Sequence, residues 1–194
     1  YAESVINAAS GVYSDKAVNA VKAMLNYRTA AQQYFGYNTD NPANSIMTDD
    51  DKNMDMVGFN TYTGKLVNAD SVSGISYYGS SLVLESDTIL RNYFELSDGY
   101  SIDNYTFYVK DKDGNKNIIV PQKTDASLYY IDISNVKAYE LADNVNIYVQ
   151  KNGDSEDKIM MLEYGAYVYA RYVDKYLDNT ALKNLMTAMY HYCN

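Results

Sequence analysis

The segment Tyr105-Thr106-Phe107-Tyr108-Val109-Lys110 decides the fold class, because apolar residues occupy every second position along it. Residues 145–150 repeat the pattern, with Val145, Ile147 and Val149 at alternate positions. A period of two places one set of side chains on each face of a strand. Both segments are therefore predicted to be half-buried β-strands.

Short runs of strand-forming residues surround these two segments, separated by turn signals such as Asp113-Gly114 and Asn152-Gly153. The predicted strands are Ile75–Leu84, Thr88–Leu96, Tyr105–Lys110, Asn117–Val120, Leu128–Ile133, Val136–Leu141, Val145–Gln150 and Lys158–Glu163. Short strands with closely spaced turns are typical of an antiparallel sandwich, and their number is that of an immunoglobulin-like domain.

Both ends of the chain change to a helical period, with apolar residues three and four positions apart. The predicted helices are Tyr1–Ala9, Asp15–Phe35, a short turn within Asn44–Lys52, Gly165–Leu177 and a last helix capped by Asp178-Asn179. Ser14 or Asp15 suits the start of the second helix, and Gly36 suits its end.

The predicted fold class is therefore α+β, an antiparallel Ig-like β-sandwich flanked by N- and C-terminal α-helical hairpins. The expected divisions are a helical hairpin at 1–37, a linker with a short helix at 38–55, the sandwich at 56–163 and a second hairpin at 164–194. The sequence leaves open whether the hairpins pack together or each lies against a sandwich.

A self-similarity links the two helical ends. Residues Asn19–Tyr27 match Asn184–Tyr192, with Asn, Ala, Met and Tyr identical at corresponding positions. The two matching segments start 165 positions apart, at residues 19 and 184. A helix-sized unit that recurs in this way predicts a monomeric module within a tandem array. Tandem arrays are usually built for multivalent binding, so the repeat favours a binding function over catalysis.

The composition narrows the classes of partner. The formal net charge of −9 lacks the basic surface that nucleic acids require, and no apolar run approaches the length of a membrane span. The one cysteine, Cys193, excludes an internal disulfide. An acidic, cysteine-poor chain rich in Asn, Asp and Tyr is expected to be an extracellular bacterial protein, secreted or in the cell wall.

No motif indicates an enzyme, a cofactor or a metal site. Residues Asp111–Lys116 lack the third acidic ligand and the distal Glu of a calcium loop, whereas Asp113-Gly114 between apolar runs predicts a hairpin turn. His191 and Cys193 supply two of the three or four ligands that zinc requires. Four glutamates lie on predicted strands or directly after one, and a glycosidase pair among them stays open as an alternative: Glu85, Glu95, Glu140 and Glu163.

Tyrosine is the unusual residue, with 23 copies beside four Phe and no Trp. On the helix after Gly165, four residues are expected to form a protein-binding stripe opposite Ala166, Ala170 and Val173: Tyr167, Arg171, Tyr172 and Lys175. Tyr and Arg are enriched at binding hot spots, although aromatic stripes on helices more often belong to the core. The next candidate surface is the N-terminal helix at Arg28, Gln32 and Gln33.

A carbohydrate-binding module of a surface glycan-degrading protein is the alternative function. Tyr77-Tyr78 and Tyr129-Tyr130 each place one ring on an outer sheet face, where it is available to stack on a sugar. The same rings serve equally well as a ladder that shields the sheet.

Residues Ala30–Asn41, Tyr77–Glu85 and the closing Tyr-rich helices resemble domains of large modular surface proteins of gut Firmicutes. Some of those proteins look like multidomain immunoglobulin-binding superantigens of gut commensals, with repeated helix-plus-sandwich modules. The resemblance implies a non-catalytic module that binds a host protein, the Fab of immunoglobulin. This chain has Arg28-Thr29 where the resemblance leads us to expect Gly-Ala, which puts a shared partner in doubt.

Overall fold

The computed structural model describes residues 1–61, 66–67, 72–84, 87–137 and 140–194. The chain divides into two units. The helical unit comprises Tyr1–Asn60 and Ala170–Asn194, and the sheet unit comprises Thr61–Tyr169. The protein is α+β with antiparallel sheets, as the sequence predicted at this level.

Two antiparallel sheets make up the sheet unit. The strands are β1 (Leu66–Val67), β2 (Ile75–Leu84), β3 (Thr88–Leu96), β4 (Tyr105–Lys110), β5 (Lys116–Ile119), β6 (Gln122–Lys123), β7 (Tyr129–Ile133), β8 (Val145–Lys151) and β9 (Ile159–Tyr164). One sheet has the order β1-β9-β8-β4-β5, and the other has the order β2-β3-β7-β6. Among the described residues, short 3₁₀ turns lie at Phe59–Thr61 and Ile102–Asn104.

Alternation along the strands produces the core of the sheet unit. β4 and β8 pair Phe107 with Val149, and both side chains are buried. The Phe107 ring meets Phe94 of the other sheet with centroids 5.0 Å apart, so the two inner faces contact one another. Other fully buried side chains on the strands of the two sheets include Leu90, Ile131, Ile147 and Met160.

Seven of the predicted strands correspond to strands of the structure, with ends shifted by at most one residue. The strand predicted at Val136–Leu141 is wrong for its described residues, since none of residues 136, 137, 140 and 141 is in a strand; residues 138–139 lie outside the described residues. The two-residue strands β1 and β6 were not predicted, because two residues are too few to show a period. The hairpin predicted at Asp113-Gly114 is confirmed: Asp111 Oδ1 accepts hydrogen bonds from the backbone N–H groups of Asp113 and Asn115.

The helices are α1 (Ala2–Ile6), α2 (Asp15–Phe35), α3 (Asp49–Lys52), α4 (Ala166–Tyr176) and α5 (Thr180–Cys193). The predicted caps of α2 are confirmed, since Ser14 accepts a hydrogen bond from the Ala17 N–H and Gly36 has a left-handed backbone. Asn179 caps α5 through the Leu182 N–H. None of the described helices combines the length and apolar character needed to cross a bilayer.

The helical unit joins the two ends of the chain, and the self-similar residues meet within it. Tyr27 of α2 and Tyr192 of α5 stack with centroids 5.6 Å apart and planes 9° from parallel. At the preceding position of each repeat, Asn26 Nδ2 donates to Asp51 O and His191 Nε2 lies 2.9 Å from Asp55 O. Corresponding positions on α2 and α5 therefore hold the same segment, residues 51–55.

Three buried polar residues of α2 fix the loop that follows it. Gln32 is 1% exposed; its amide nitrogen donates to Asn38 O and Asn41 O, and its oxygen accepts from the Ala43 N–H. Thr29 accepts from the Asn44 N–H, and Asn26 accepts from the Asn44 side chain. Buried polar groups that are fully paired stabilise one conformation of the chain, so this network sets the course of residues 38–44.

Asp51→Asn is expected to destabilise the helical unit at neutral pH by removing the ion pair with Lys22, whose Nζ lies 2.6 Å from Asp51 Oδ1. The hydrogen bond from Lys22 lowers the pKa of the Asp51 carboxyl. A carboxyl with a lowered folded-state pKa stabilises the fold above its unfolded pKa and loses that contribution as the pH falls through the folded pKa. We expect a deficit of about 1 kcal/mol near neutral pH that disappears as the pH falls through the lowered folded-state pKa of Asp51.

Urea unfolding at several pH values measures this difference, with Asp50→Asn as the matched control. Asp50 is exposed and, in the part of the chain that the structure describes, its side chain has no ion pair. An equal effect of both substitutions at every pH would show that the Lys22 pair contributes nothing.

Candidate functional site

Helix α4 places the four predicted binding residues at three different depths. Tyr172 is 51% exposed and Lys175 is exposed, whereas Arg171 is half-buried and Tyr167 is 3% exposed. The outward position predicted for Tyr167 is wrong. At about 100° per residue, Tyr167 lies about 60° from the buried Ala170 and about 140° from Tyr172, so the predicted stripe spanned too wide an arc.

Tyr176 is an exposed residue of the same helix that the sequence prediction did not include. It is 62% exposed, and its ring centroid lies 5.3 Å from that of Tyr172. The signal was present in the sequence, because residues four apart are neighbours on a helix surface. Arg171, Tyr172, Lys175 and Tyr176 form the surface that we call the α4 patch.

Cations adjust the chemistry of the α4 patch. Lys175 Nζ lies 4.8 Å from the centroid of the Tyr176 ring. A hydrogen bond from Lys175, with smaller electrostatic contributions from Lys175 and Arg171, lowers the pKa of the Tyr176 hydroxyl. An ammonium over an aromatic face is attracted to the ring, so Lys175 and Tyr176 favour contact with one another.

The helix beneath the patch is anchored on its opposite side. Ala170 and Val173 are both 0% exposed. At the end of the helix, Lys183 Nζ donates to the backbone oxygen of Asp174 over 3.0 Å, where a cation also opposes the negative end of the helix dipole. The α4 patch therefore combines two exposed rings and two cations on a fixed support, on a chain whose net charge is −9.

The tyrosine pairs of the sheet unit differ from this surface. Tyr78 points outward at 65% exposure, whereas the Tyr77 hydroxyl lies 2.6 Å from Ser80 Oγ, which donates to the buried Asn92. Tyr130 has the Arg91 guanidinium 4.2 Å above its ring, and Asp132 binds that guanidinium through two hydrogen bonds. The Tyr130 face is thus covered, which leaves Tyr78 as the open ring of the two predicted outward rings.

The three residues of the second predicted surface, Arg28, Gln32 and Gln33 on α2, also differ in exposure. Gln32 is buried and its amide holds the loop, so it is not available to a partner. Arg28 and Gln33 are exposed. Only two of these three residues therefore remain candidates for contact.

The described residues contain no cluster of three or more His, Cys, Asp or Glu side chains placed to hold a metal ion. Asp111 uses both carboxylate oxygens within its own turn, where Asn115 donates to Oδ2. Glu85, one of the four glutamates considered for catalysis, lies outside the described residues.

Comparison of this chain with protein-family models, curated proteins and solved structures finds no match.

Proposed function

We propose that this chain is a non-catalytic protein-binding module and that the α4 patch is its contact surface. The exposed Tyr172–Tyr176 pair beside Lys175 carries the proposal. Tyr offers large contact area with few rotatable bonds, and Tyr and Arg are enriched among residues that dominate binding energy. A helix face also loses less conformational entropy on binding than a loop does.

The proposed scaffold is an immunoglobulin-like sandwich with α-helical hairpins at both termini, α1–α2 and α4–α5. The strand order supports this proposal. If the strands from β2 to β9 are lettered along the chain as A, B, C, C′, D, E, F and G, the sheet β2-β3-β7-β6 has the order A-B-E-D of immunoglobulin domains. The strands β5-β4-β8-β9 of the other sheet then have their order C′-C-F-G. The chain departs from antibody domains in having no Trp and no disulfide in the core.

The proposed partner is the variable-region framework of host immunoglobulin, bound outside the antigen site. The resemblance of residues 30–41 and 77–85 to modular surface proteins supports this choice, and the cationic aromatic patch suits a polar protein surface. A framework that many antibodies share lets one surface bind broadly. We place the module in an extracellular bacterial protein, as one monomeric unit of a tandem array in which repetition adds avidity.

Tyr172→Ala and Tyr176→Ala are each expected to weaken binding to polyclonal Fab at least about tenfold, because truncating a central anchor removes about 2 kcal/mol or more. Arg171→Ala is expected to act in the same direction. Biolayer interferometry with Fab fragments and with isolated light chains measures the effect, and thermal unfolding should change little because both rings are exposed.

Tyr78→Ala is the matched control, since it removes a similarly exposed tyrosine from the sheet unit. It should leave Fab binding unchanged. Tyr167→Ala should lower the thermal stability, as expected for a side chain that is 3% exposed. Failure of the folded protein to bind Fab or light chains would reject the proposed partner, and loss of glycan binding in Tyr78→Ala would instead favour a carbohydrate-binding module.

A further inference from the structure

The helical unit contains a cleft of about 390 Å³ that the proposed function does not use. Its polar walls come from α2, from α5 and from the segment between Pro42 and Met56. The polar side chains that carry the inference are Asn26, Gln33, Asn44, Lys52, Asn184 and Thr187. We call this site the amide cleft. Its volume falls within the range of small-molecule binding sites.

Some polar groups of the amide cleft are already paired, and others are not. Asn26 and Asn44 bond to one another, and Thr187 lies 3.8 Å from the sulfur of Met56. In the region that the structure describes, the side-chain amides of Gln33 and Asn184 have no hydrogen-bond partner. A primary amide presents two donors and one acceptor, so these groups offer both kinds of hydrogen bond to a ligand.

The charged side chain that lines the amide cleft is a lysine, whereas the net charge of the chain is −9. The sequence carries 25 acidic residues, yet no carboxylate is among the described residues that line the cleft. Lys52 supplies a cation. Its ion pair with Asp49 spans 3.2 Å to a side chain that is fully exposed, and such pairs contribute little, so the ammonium is available to another anion.

Apolar surface completes the lining. Met54 and Met56 contribute flexible thioethers, and Pro42 and Ala30 add further apolar atoms. Methionine adapts its shape to what lies against it, which suits the C–H faces of a small ring. The lining therefore combines unpaired amides, one cation and an adaptable apolar wall.

We propose that the amide cleft binds a small acidic sugar, with its carboxylate at Lys52 and its hydroxyls at Gln33 and Asn184. Sugar hydroxyls donate and accept at once, as the two unpaired amides do. A carboxylate gains a charge-assisted hydrogen bond from the ammonium that a neutral sugar lacks. This inference does not depend on the proposed function, because it uses different residues and a different ligand.

The test uses the full chain labelled at the methionine methyl groups and titrated with methyl glucuronide by NMR. We expect saturable shifts of the Met54 and Met56 signals with a Kd of about 1 to 10 mM. Methyl glucoside, which lacks the carboxylate, should bind at least about tenfold more weakly. The other six methionines act as internal references, since the chain has eight in all.

Lys52→Gln should weaken glucuronide binding about tenfold. Lys112→Gln, the same change at an exposed position of the sheet unit, should leave it unaltered. The proposal is overturned if Met54 and Met56 do not respond, if glucoside binds equally well, or if acetate alone reproduces the shifts. A peptide that binds through its C-terminal carboxylate more tightly than the glucuronide would also overturn it.

Discussion

Replacing Phe94 by alanine is expected to lower the free energy of unfolding of the sheet unit by about 3–5 kcal/mol. Phe94 is 0% exposed and meets Phe107 edge to face, at 5.0 Å and 67°, where the inner faces of the two sheets contact. Its removal leaves a cavity that neighbouring side chains on both sheets cannot fill without moving. Differential scanning calorimetry should show the corresponding transition roughly 15 °C lower.

Phe35→Ala provides the matched control for this effect. Phe35 is 49% exposed at the end of α2, so the same truncation there should cost less than about 1 kcal/mol. A loss for Phe94→Ala no larger than that for Phe35→Ala would mean that the contact between the sheets contributes little to stability.

Gly165→Ala is expected to destabilise the sheet unit by about 2–3 kcal/mol through overpacking. A Cβ atom at Gly165 would lie 2.6 Å from the backbone oxygen of Asp143 and 2.6 Å from Asn144 Oδ1. One of these contacts is with backbone, so the turn before β8 has to move. Gly165 also accepts the first hydrogen bond of α4, from Val168, and the change therefore affects the start of that helix.

Gly79→Ala is the control, because no atom lies within 4 Å of a Cβ placed there and its φ angle is not in the left-handed region. Its effect on the urea midpoint should correspond to about 0.5 kcal/mol or less. Hydrogen exchange at β8 and β9 should increase in Gly165→Ala alone. Equal stability of the two variants would show that the turn at Asp143 yields without cost.

The sequence predicted the secondary structure well where local chemistry determines it. The bounds of α2 are those expected from Ser14, Gly36 and the apolar spacing between them. The alternation at 105–110 and 145–150 identified two strands, and the structure pairs them as neighbours. Capping and side-chain period act within a few residues, so one sequence contains the information.

The candidate sites were predicted less well, because burial depends on residues far apart in the chain. The Tyr167 position lies near the edge of the buried helix face, and its sequence neighbours do not reveal which side of that edge it occupies. The amide cleft is assembled from α2, α5 and the segment that precedes the sheet unit. No local pattern brings Gln33 and Asn184 together, so such a site is visible only once the chain has folded.

The discontinuous helical unit also has a consequence for the order of events during synthesis. α2 is synthesised before the sheet unit and its partner α5 after it, so the Tyr27–Tyr192 stack has to await synthesis of the residues between them. All residues of the sheet unit, Thr61–Tyr169, are synthesised before α5, and we expect this unit to fold first because domains generally fold as units during synthesis. β1 pairs with β9, with Leu66 opposite Leu162. Folding of the sheet unit therefore brings the two ends of the chain between these strands next to one another. The entropic cost of closing the long loop between β1 and β9 is therefore met before α5 packs against α2. A nascent chain arrested within the sheet unit would expose the apolar face of α2.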